Sequence, residues 1–461
     1  MHNLAGTARR HLCALLVLLA LVLLPLRASA QSVTEPLQEQ LLNGLTIFFW
    51  PRPGDANVLL KLRINSGAAF DLSGKAGTMA LLGDALFPDP STREYVTEQL
   101  GGHLMVVISH DALDVTISGT ANEFERMVEL LRNALLSTQL TRENVAKARE
   151  SRITRLSQLS VNVSEIADSA IAVRLLGSFP YTRSAEGTIE TVAKIDRGDL
   201  LLARERFLNA DNAVLAVIGG VDKARATRAL RQLLGPWNKA DRIVPPTFRQ
   251  PDLPDRRVLV VNQPNATSAE IRLAVRGLAR SDRDDAAAAA LARIVRDRWQ
   301  PASSDLSSVS VRHEPHLLPG LFVMRASAPV ATASKAVTIA QQIMRSLAQG
   351  GPTAAELEQA RSEMLMDVSR RISQTESIAD AWLDTVTFKA PSPGSLESSI
   401  RRLTVVDIQR VAARLFKDAA VATVVVGDSQ RLKPAFGANV ELRENSNSGS
   451  STDAVTPLKR P

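Results

Sequence analysis

Metal, acid–base and nucleophilic chemistry each need particular residues at particular spacings, and this chain of 461 residues has few of them. Of its six histidines, four lie beyond residue 30: His103, His110, His313 and His316. A hydrolytic zinc needs about three nitrogen or oxygen ligands and an open position for water. His313-Glu314-Pro315-His316 has suitable residue types, but Pro315 keeps a helix from running across both histidines, and no further acid or histidine partner is evident. His103 and His110 flank a strand-like run at an odd separation, which points them to opposite faces. They read as surface or strand-end residues. The one cysteine, Cys13, sits in an N-terminal apolar run, so the rest of the chain has no thiol nucleophile, thiolate ligand or disulfide. Neither a Gly-x-Ser-x-Gly elbow nor a phosphate-binding glycine loop is present. The residues alone assign no catalytic, cofactor-binding or metal site.

Local patterns show how the chain is organised. Asn43-Gly44 signals a turn before a β-rich run, and Val58 to Ser66 alternates through Leu60, Leu62 and Ile64 as a strand does. Gly67, Gly74 and Gly77 lead into Gly77 to Phe87, which reads as a short buried helix. The spacing then predicts helices over Thr92–Leu100, Glu123–Leu136, Thr141–Leu159 and Asp196–Leu208, and strands over Leu104–Ser109, Leu113–Ser118 and Ala213–Ile218. Residues 236–257, rich in Pro, Asp and Arg, read as a linker. Strands near Val258–Val261, Glu270–Val275, Leu306–Arg312, Leu321–Ala326 and Val421–Val426 follow, with helices from Asp284, Ser334, Thr353 and Thr404. Leu140 to Arg149 matches Pro352 to Arg361, and Ala213 to Gly219 matches Val421 to Gly427. Both matches are offset by about 210 residues, a period that means duplicated domains. The expected fold class is α+β, each half a mostly antiparallel sheet backed by helices.

Over roughly residues 38–435 the chain resembles the pitrilysin/insulinase (M16) zinc peptidases, which include the mitochondrial processing peptidases. The resemblance rests on Asn43-Gly44-Leu45-Thr46, Gly67 to Asp71, Gly74-Lys75-x-Gly77, Leu100-Gly101-Gly102, Gly177-x-x-Pro180-Tyr181, Gly187-Thr188 and Phe207 to Gly219. It implies two homologous domains, 31–235 and 258–440. Anchored on Leu86-Phe87, it puts the family's inverted zinc motif His-x-x-Glu-His on Ala80, Gly83 and Asp84. The distal ligand falls on Arg155, with Glu150 the nearest acid. Ala80 and Gly83 can neither ligate nor take a proton, and Asp84 alone is not a zinc site. The resemblance therefore implies a non-catalytic member with a degenerate motif, zinc only in a partner subunit, and an Asp84–Arg155 ion pair in place of the metal. The family's second domain often holds substrate with an Arg and a Tyr. The matching region, Arg296 to Ala326, has Arg298, Arg312 and Arg325 but no Tyr; the tyrosines are Tyr95 and Tyr181.

Composition fits a chain with substantial cores, at 45% hydrophobic and 22% charged residues. The net charge of +7 comes from arginines spread among acids, which argues for a solvated surface and against nucleic acid. Arg9, Arg10, the apolar run Leu12 to Leu26 and Ala28-Ser29-Ala30 read as a signal peptide cleaved after Ala30. That implies export, to a bacterial periplasm, with no membrane anchor left. Residues 441–461 read as a disordered tail.

The resulting expectation is an exported, inactive M16 homologue. It would be the structural or regulatory, substrate-chamber partner of an active M16 subunit in a heterodimer, with peptides as its other contacts. Two sheet-lined inner faces, left open, would call for such a partner. The alternatives are a zinc metalloendopeptidase with a rearranged site and a stand-alone periplasmic peptide-binding or scaffold protein.

Overall fold

The computed structural model describes residues 35–159, 162–240, 243–302 and 304–444. The expected signal peptide, its cleavage site, Cys13 and residues 445–461 lie outside the described residues.

The N-terminal half opens with strands β1 (Leu37–Gln40), β2 (Thr46–Pro51) and β3 (Asn57–Ile64), then helices α1 (Thr78–Leu86) and α2 (Ser91–Glu98). The hairpin of β4 (Leu104–Ile108) and β5 (Leu113–Thr120) leads to α3 (Phe124–Arg132), α4 (Arg142–Gln158) and α5 (Val163–Leu176). Helices α6 (Ile189–Val192) and α7 (Arg197–Phe207), strand β6 (Ala213–Gly219) and helix α8 (Lys223–Leu234) complete it. The C-terminal half starts with β7 (Val258–Asn262), β8 (Ser268–Arg276), α9 (Asp285–Trp299), β9 (Ser307–Glu314) and β10 (Leu321–Pro329). Five helices follow: α10 (Ala333–Gly350), α11 (Ala354–Ile372), α12 (Thr375–Thr387), α13 (Pro393–Arg402) and α14 (Val405–Phe416). Strand β11 (Ala422–Gly427), helix α15 (Ser429–Phe436) and strand β12 (Val440–Glu444) end the described chain.

The two six-stranded sheets run β1-β2-β6-β3-β5-β4 and β12-β7-β11-β8-β10-β9. In each, one inner pair is parallel, β2 with β6 and β7 with β11, and the four strands from β6 to β4 and from β11 to β9 are antiparallel. The repeat is thus a repeat of topology. Only the outermost strand differs. β1 comes from the start of the chain and pairs antiparallel with β2, whereas β12 comes from the end and pairs parallel with β7. Glu441 to Glu444 therefore belong to a strand, contrary to the expected tail; without them the outer edge of β7 would be a bare row of donors and acceptors.

Strand alternation splits each sheet into two apolar faces. In β3, Val58, Leu60, Leu62 and Ile64 pack under the helices of their own half, together with Met79, Leu81, Leu82 and Phe124. The opposite faces are not open, which corrects the expectation of exposed inner surfaces. Helix α5 of the first half crosses the second sheet, burying Ala167, Ala170, Ile171 and Leu175 against Leu259, Ala274, Val323 and Val424. Helix α12 of the second half crosses the first sheet, where Trp382 meets the rings of Phe48 and Trp50 at 5.9 and 6.0 Å.

Charges buried on these faces are paired across the halves. Arg63 of β3 bonds Asp114 at 2.7 Å and Asp384 of α12 at 2.6 Å, and Lys61 reaches Asp380 at 2.6 Å. Burial pulls the Arg63 guanidinium down, but Asp114, Asp384 and Asp380 outweigh it and hold its pKa above the ordinary value. On the other sheet, Arg272 and Arg325 converge on Asp168 of α5 at 2.6 and 2.9 Å.

The stretch expected as a linker has no helix or strand among its described residues. Its start is fixed in the first core: Trp237 is buried and donates to the Leu208 carbonyl at 3.0 Å.

Candidate functional site

Asp71 sets the start of α1. Its carboxylate accepts from the backbone N–H groups of Gly77, Thr78 and Met79 at 2.7, 3.1 and 2.9 Å, filling donors that a helix N-terminus leaves free. Gly77 enters the helix at φ 94°, and a Cβ there would meet the Glu186 carbonyl at 2.9 Å. Burial pushes the Asp71 carboxyl up to about 7, against the pull of those three amides and of Arg183. Every residue of α1 except Asp84 is buried. Asp84 faces α4, whose start is capped by Thr141 accepting from the Asn144 N–H at 3.1 Å.

Two arginines, one turn apart on α4, close on Asp84. Arg152 Nε lies 2.7 Å and Arg155 Nη2 2.9 Å from Asp84 Oδ2. Their environments differ sharply: the Arg152 side chain is 4% exposed and that of Arg155 is 52%. Arg152 also donates to the Ala80 carbonyl at 3.0 Å and to Glu186 Oε2 at 2.5 Å. The expected Asp84–Arg155 contact exists, but the sequence reading missed Arg152, which fills the interior. Only the register of α4 against α1 could have shown this. Glu150, the nearest acid in sequence, is exposed.

His313 and His316 do face acids, which corrects the expectation that neither has an evident partner, and His103, at the start of β4, is an exposed strand-end residue as expected. His316 Nδ1 is 3.0 Å from Asp111 Oδ2, and Tyr181 donates its hydroxyl to Asp111 Oδ1 at 2.8 Å. The His316 ring lies 4.3 Å from that of Tyr181 and 5.4 Å from that of His110. Burial holds the His110 pKa below its ordinary value and the Tyr181 pKa above it. His313 Nε2 accepts from the Leu278 N–H at 2.9 Å, while its Nδ1 faces Asp285 at 3.1 Å, off the hydrogen-bond axis. His103 bridges Ser118 at 2.7 Å and Glu376 at 3.0 Å. These contacts join the two halves or pin strands. The missed partners come from distant segments, which local spacing does not report. Of the three arginines considered for substrate contact, Arg298 grips Glu356 through two bonds of 2.6 and 2.9 Å, Arg325 is held by Asp168 and Glu314, and Arg312 is exposed.

Comparison with known proteins gives this geometry a family. A profile described as "Peptidase M16 inactive domain" matches residues 194–364. Human mitochondrial cytochrome b-c1 complex subunit 1 is 25% identical over 185 residues, covering 39% of this chain. The matched stretches span 37–41% of the length of the human, bovine and mouse forms of that subunit. A mitochondrial-processing peptidase subunit beta from Lentinula edodes is 22% identical over 437 residues, covering 85% of this chain and 90% of its own. The crystal structure of a protease from Helicobacter pylori superposes with a TM-score of 0.77 at 17% identity, covering 86% of this chain and all of the other. The M16 inactive-domain structure from Pseudomonas fluorescens does so at 0.75 and 17%, covering 86% and 98%. The chain is an M16 homologue.

The zinc that the family implies does not fit the residues of this homologue. Ala80 offers only a methyl group at the first ligand position. At Gly83, where the general base would stand, a Cβ would meet Leu113 Cδ1 at 2.8 Å and Val106 Cγ1 at 3.0 Å. Asp84 is already bonded to two cations, and among the described residues no three His, Cys, Asp or Glu side chains cluster. A guanidinium here neutralises acids and locks two helices; it does not activate water.

Proposed function

We propose that this M16 homologue is a catalytically silent subunit that pairs with an M16 chain retaining His-x-x-Glu-His and forms part of the peptide chamber of the pair. The observation that carries the proposal is the buried Arg152 guanidinium, bonded to Asp84, Glu186 and the Ala80 carbonyl where the family's metal would lie. Cytochrome b-c1 complex subunit 1 and a processing-peptidase subunit, both named as subunits, favour the partnership. Export to a periplasm, after cleavage following Ala30, is part of the same proposal. Co-expression with a zinc-motif M16 chain, followed by size exclusion and peptidase assay, tests it. The expected result is a heterodimer, zinc only in the partner, and cleavage by the mixture. Stoichiometric zinc and chelator-sensitive cleavage by this chain alone would overturn it.

A further inference from the structure

Ser118, His103 and Glu376 meet in a line at a cleft between the halves. The Ser118 hydroxyl lies 2.7 Å from His103 Nδ1, and His103 Nε2 lies 3.0 Å from Glu376 Oε1. One tautomer satisfies both contacts: Nε2 carries the proton and donates to the carboxylate, and Nδ1 accepts from the hydroxyl. The His103 backbone N–H donates to Ser118 Oγ at 3.0 Å, which fixes the oxygen and leaves it one unused lone pair. Ser118 is on β5 and His103 just precedes β4, while Glu376 stands in the first turn of α12 from the other half.

The three residues line a cleft of about 500 Å³. Gly102 lies against the serine, where a Cβ would overlap the Ser118 carbonyl, so that side is bare backbone. Leu59 and Ile218 add apolar lining, and Thr375 and Glu376 bring the start of α12 to the same cleft. No side chain caps that helix, so its first N–H groups are available to negative charge. A nucleophile, its base and an acid that orients the base, each within hydrogen-bond reach of the next, is the arrangement that activates a serine.

We propose that Ser118, His103 and Glu376 hydrolyse short-chain carboxylic esters through an acyl-serine. Ser118 Oγ attacks the ester carbonyl carbon as its proton passes to His103 Nδ1, and negative charge develops on the carbonyl oxygen beside the start of α12. The ester C–O bond breaks, and the leaving alkoxide takes the proton from Nδ1 and departs as the alcohol. Water then attacks the acyl carbon and gives a proton to Nδ1. The carboxylic acid leaves as Ser118 Oγ takes that proton back. Glu376 accepts from Nε2–H throughout and stabilises the imidazolium. The His103 and Glu376 side chains are 50% and 40% exposed, so water screens the relay. That restricts it to esters, whose leaving groups are better than those of amides. The site shares no residue with the Asp84–Arg152 site and needs no partner subunit, and the chain remains silent as a zinc peptidase.

The test is hydrolysis of p-nitrophenyl acetate and butyrate by the purified full chain with a chelator present. A fluorophosphonate probe, its adduct located by mass spectrometry, reports the nucleophile. The expected result is turnover of both esters and an adduct on Ser118. Ser118→Ala and His103→Ala should each lower the rate at least about tenfold, and Glu376→Gln about threefold to tenfold. Melting temperatures should not change, because none of the three residues is buried. Hydrolysis undiminished in Ser118→Ala, or an adduct absent or found only elsewhere, would overturn the serine assignment. Full activity of Glu376→Gln would overturn the relay.

Discussion

Arg152 Nε sits 2.7 Å from Asp84 Oδ2, and this buried pair joins α4 to α1 at the position where the family's metal motif has lost its ligands. Arg155, bonded to the same oxygen, lies half in solvent. The two arginines should therefore differ in worth. Removing one partner of a buried pair strands a charge, so Arg152→Ala is expected to cost about 3–5 kcal/mol. Arg155→Ala should cost about 0–1 kcal/mol. Denaturant unfolding of the two variants checks this; equal losses would refute the distinction.

Rebuilding the motif should not rebuild the site. Ala80→His, Gly83→Glu and Asp84→His together leave Arg152 pointing into the would-be metal pocket, and the glutamate collides with Leu113 and Val106. The triple variant is expected to bind no stoichiometric zinc and to be less stable than the parent. Metal analysis showing about one tightly held zinc per chain would contradict this.

The cross-half pairs predict a second pattern. Asp168→Ala leaves Arg272 and Arg325 without their shared partner on α5, and Asp380→Ala takes a partner from Lys61 and Arg63. Each should cost about 2–4 kcal/mol, nearer the lower end because both carboxylates are partly exposed. The sites lie on different sheets, so the double variant should show additive losses in a mutant cycle.

Asp71 predicts a pH dependence. Its folded pKa, about 7 because of burial, is above the ordinary carboxyl value. The folded state then holds its proton more tightly than the unfolded chain. The associated stability is fully present below about pH 4 and is lost as pH rises through about 7. The full window is worth up to about 4 kcal/mol. Asp71→Asn should flatten this part of the stability profile. A variant with the same pH slope as the parent between about pH 4 and 7 would dismiss Asp71 as the cause.

The sequence showed the α+β class and the repeat because the strands carry clean period-two runs, such as Leu60, Leu62 and Ile64, and α14 and α10 carry regular apolar stripes. It did not show α5 or α12. Each lies between one half's sheet and its surroundings, so its buried face mixes alanines, aromatics and an inward aspartate, Asp168 or Asp380, and no simple apolar period results. The site was half legible for a related reason. Ala80, Gly83 and Asp84 could be placed by motif. Choosing between Arg152 and Arg155 required the rotation of α4 about its axis, a tertiary quantity set by Val145 and Arg152 packing inward together.

The exchange of α5 and α12 makes each half the keeper of the other's lid. A protease cut within the irregular segment 243–257 should not free two independent pieces. Each fragment would still hold the helix that shields the other's sheet from water, so the nicked protein should run as one species until denatured. Either half expressed alone would expose a face built of Leu259, Val424 and Ala274, or of Phe48 and Trp50, and should precipitate unless its missing piece is supplied in trans.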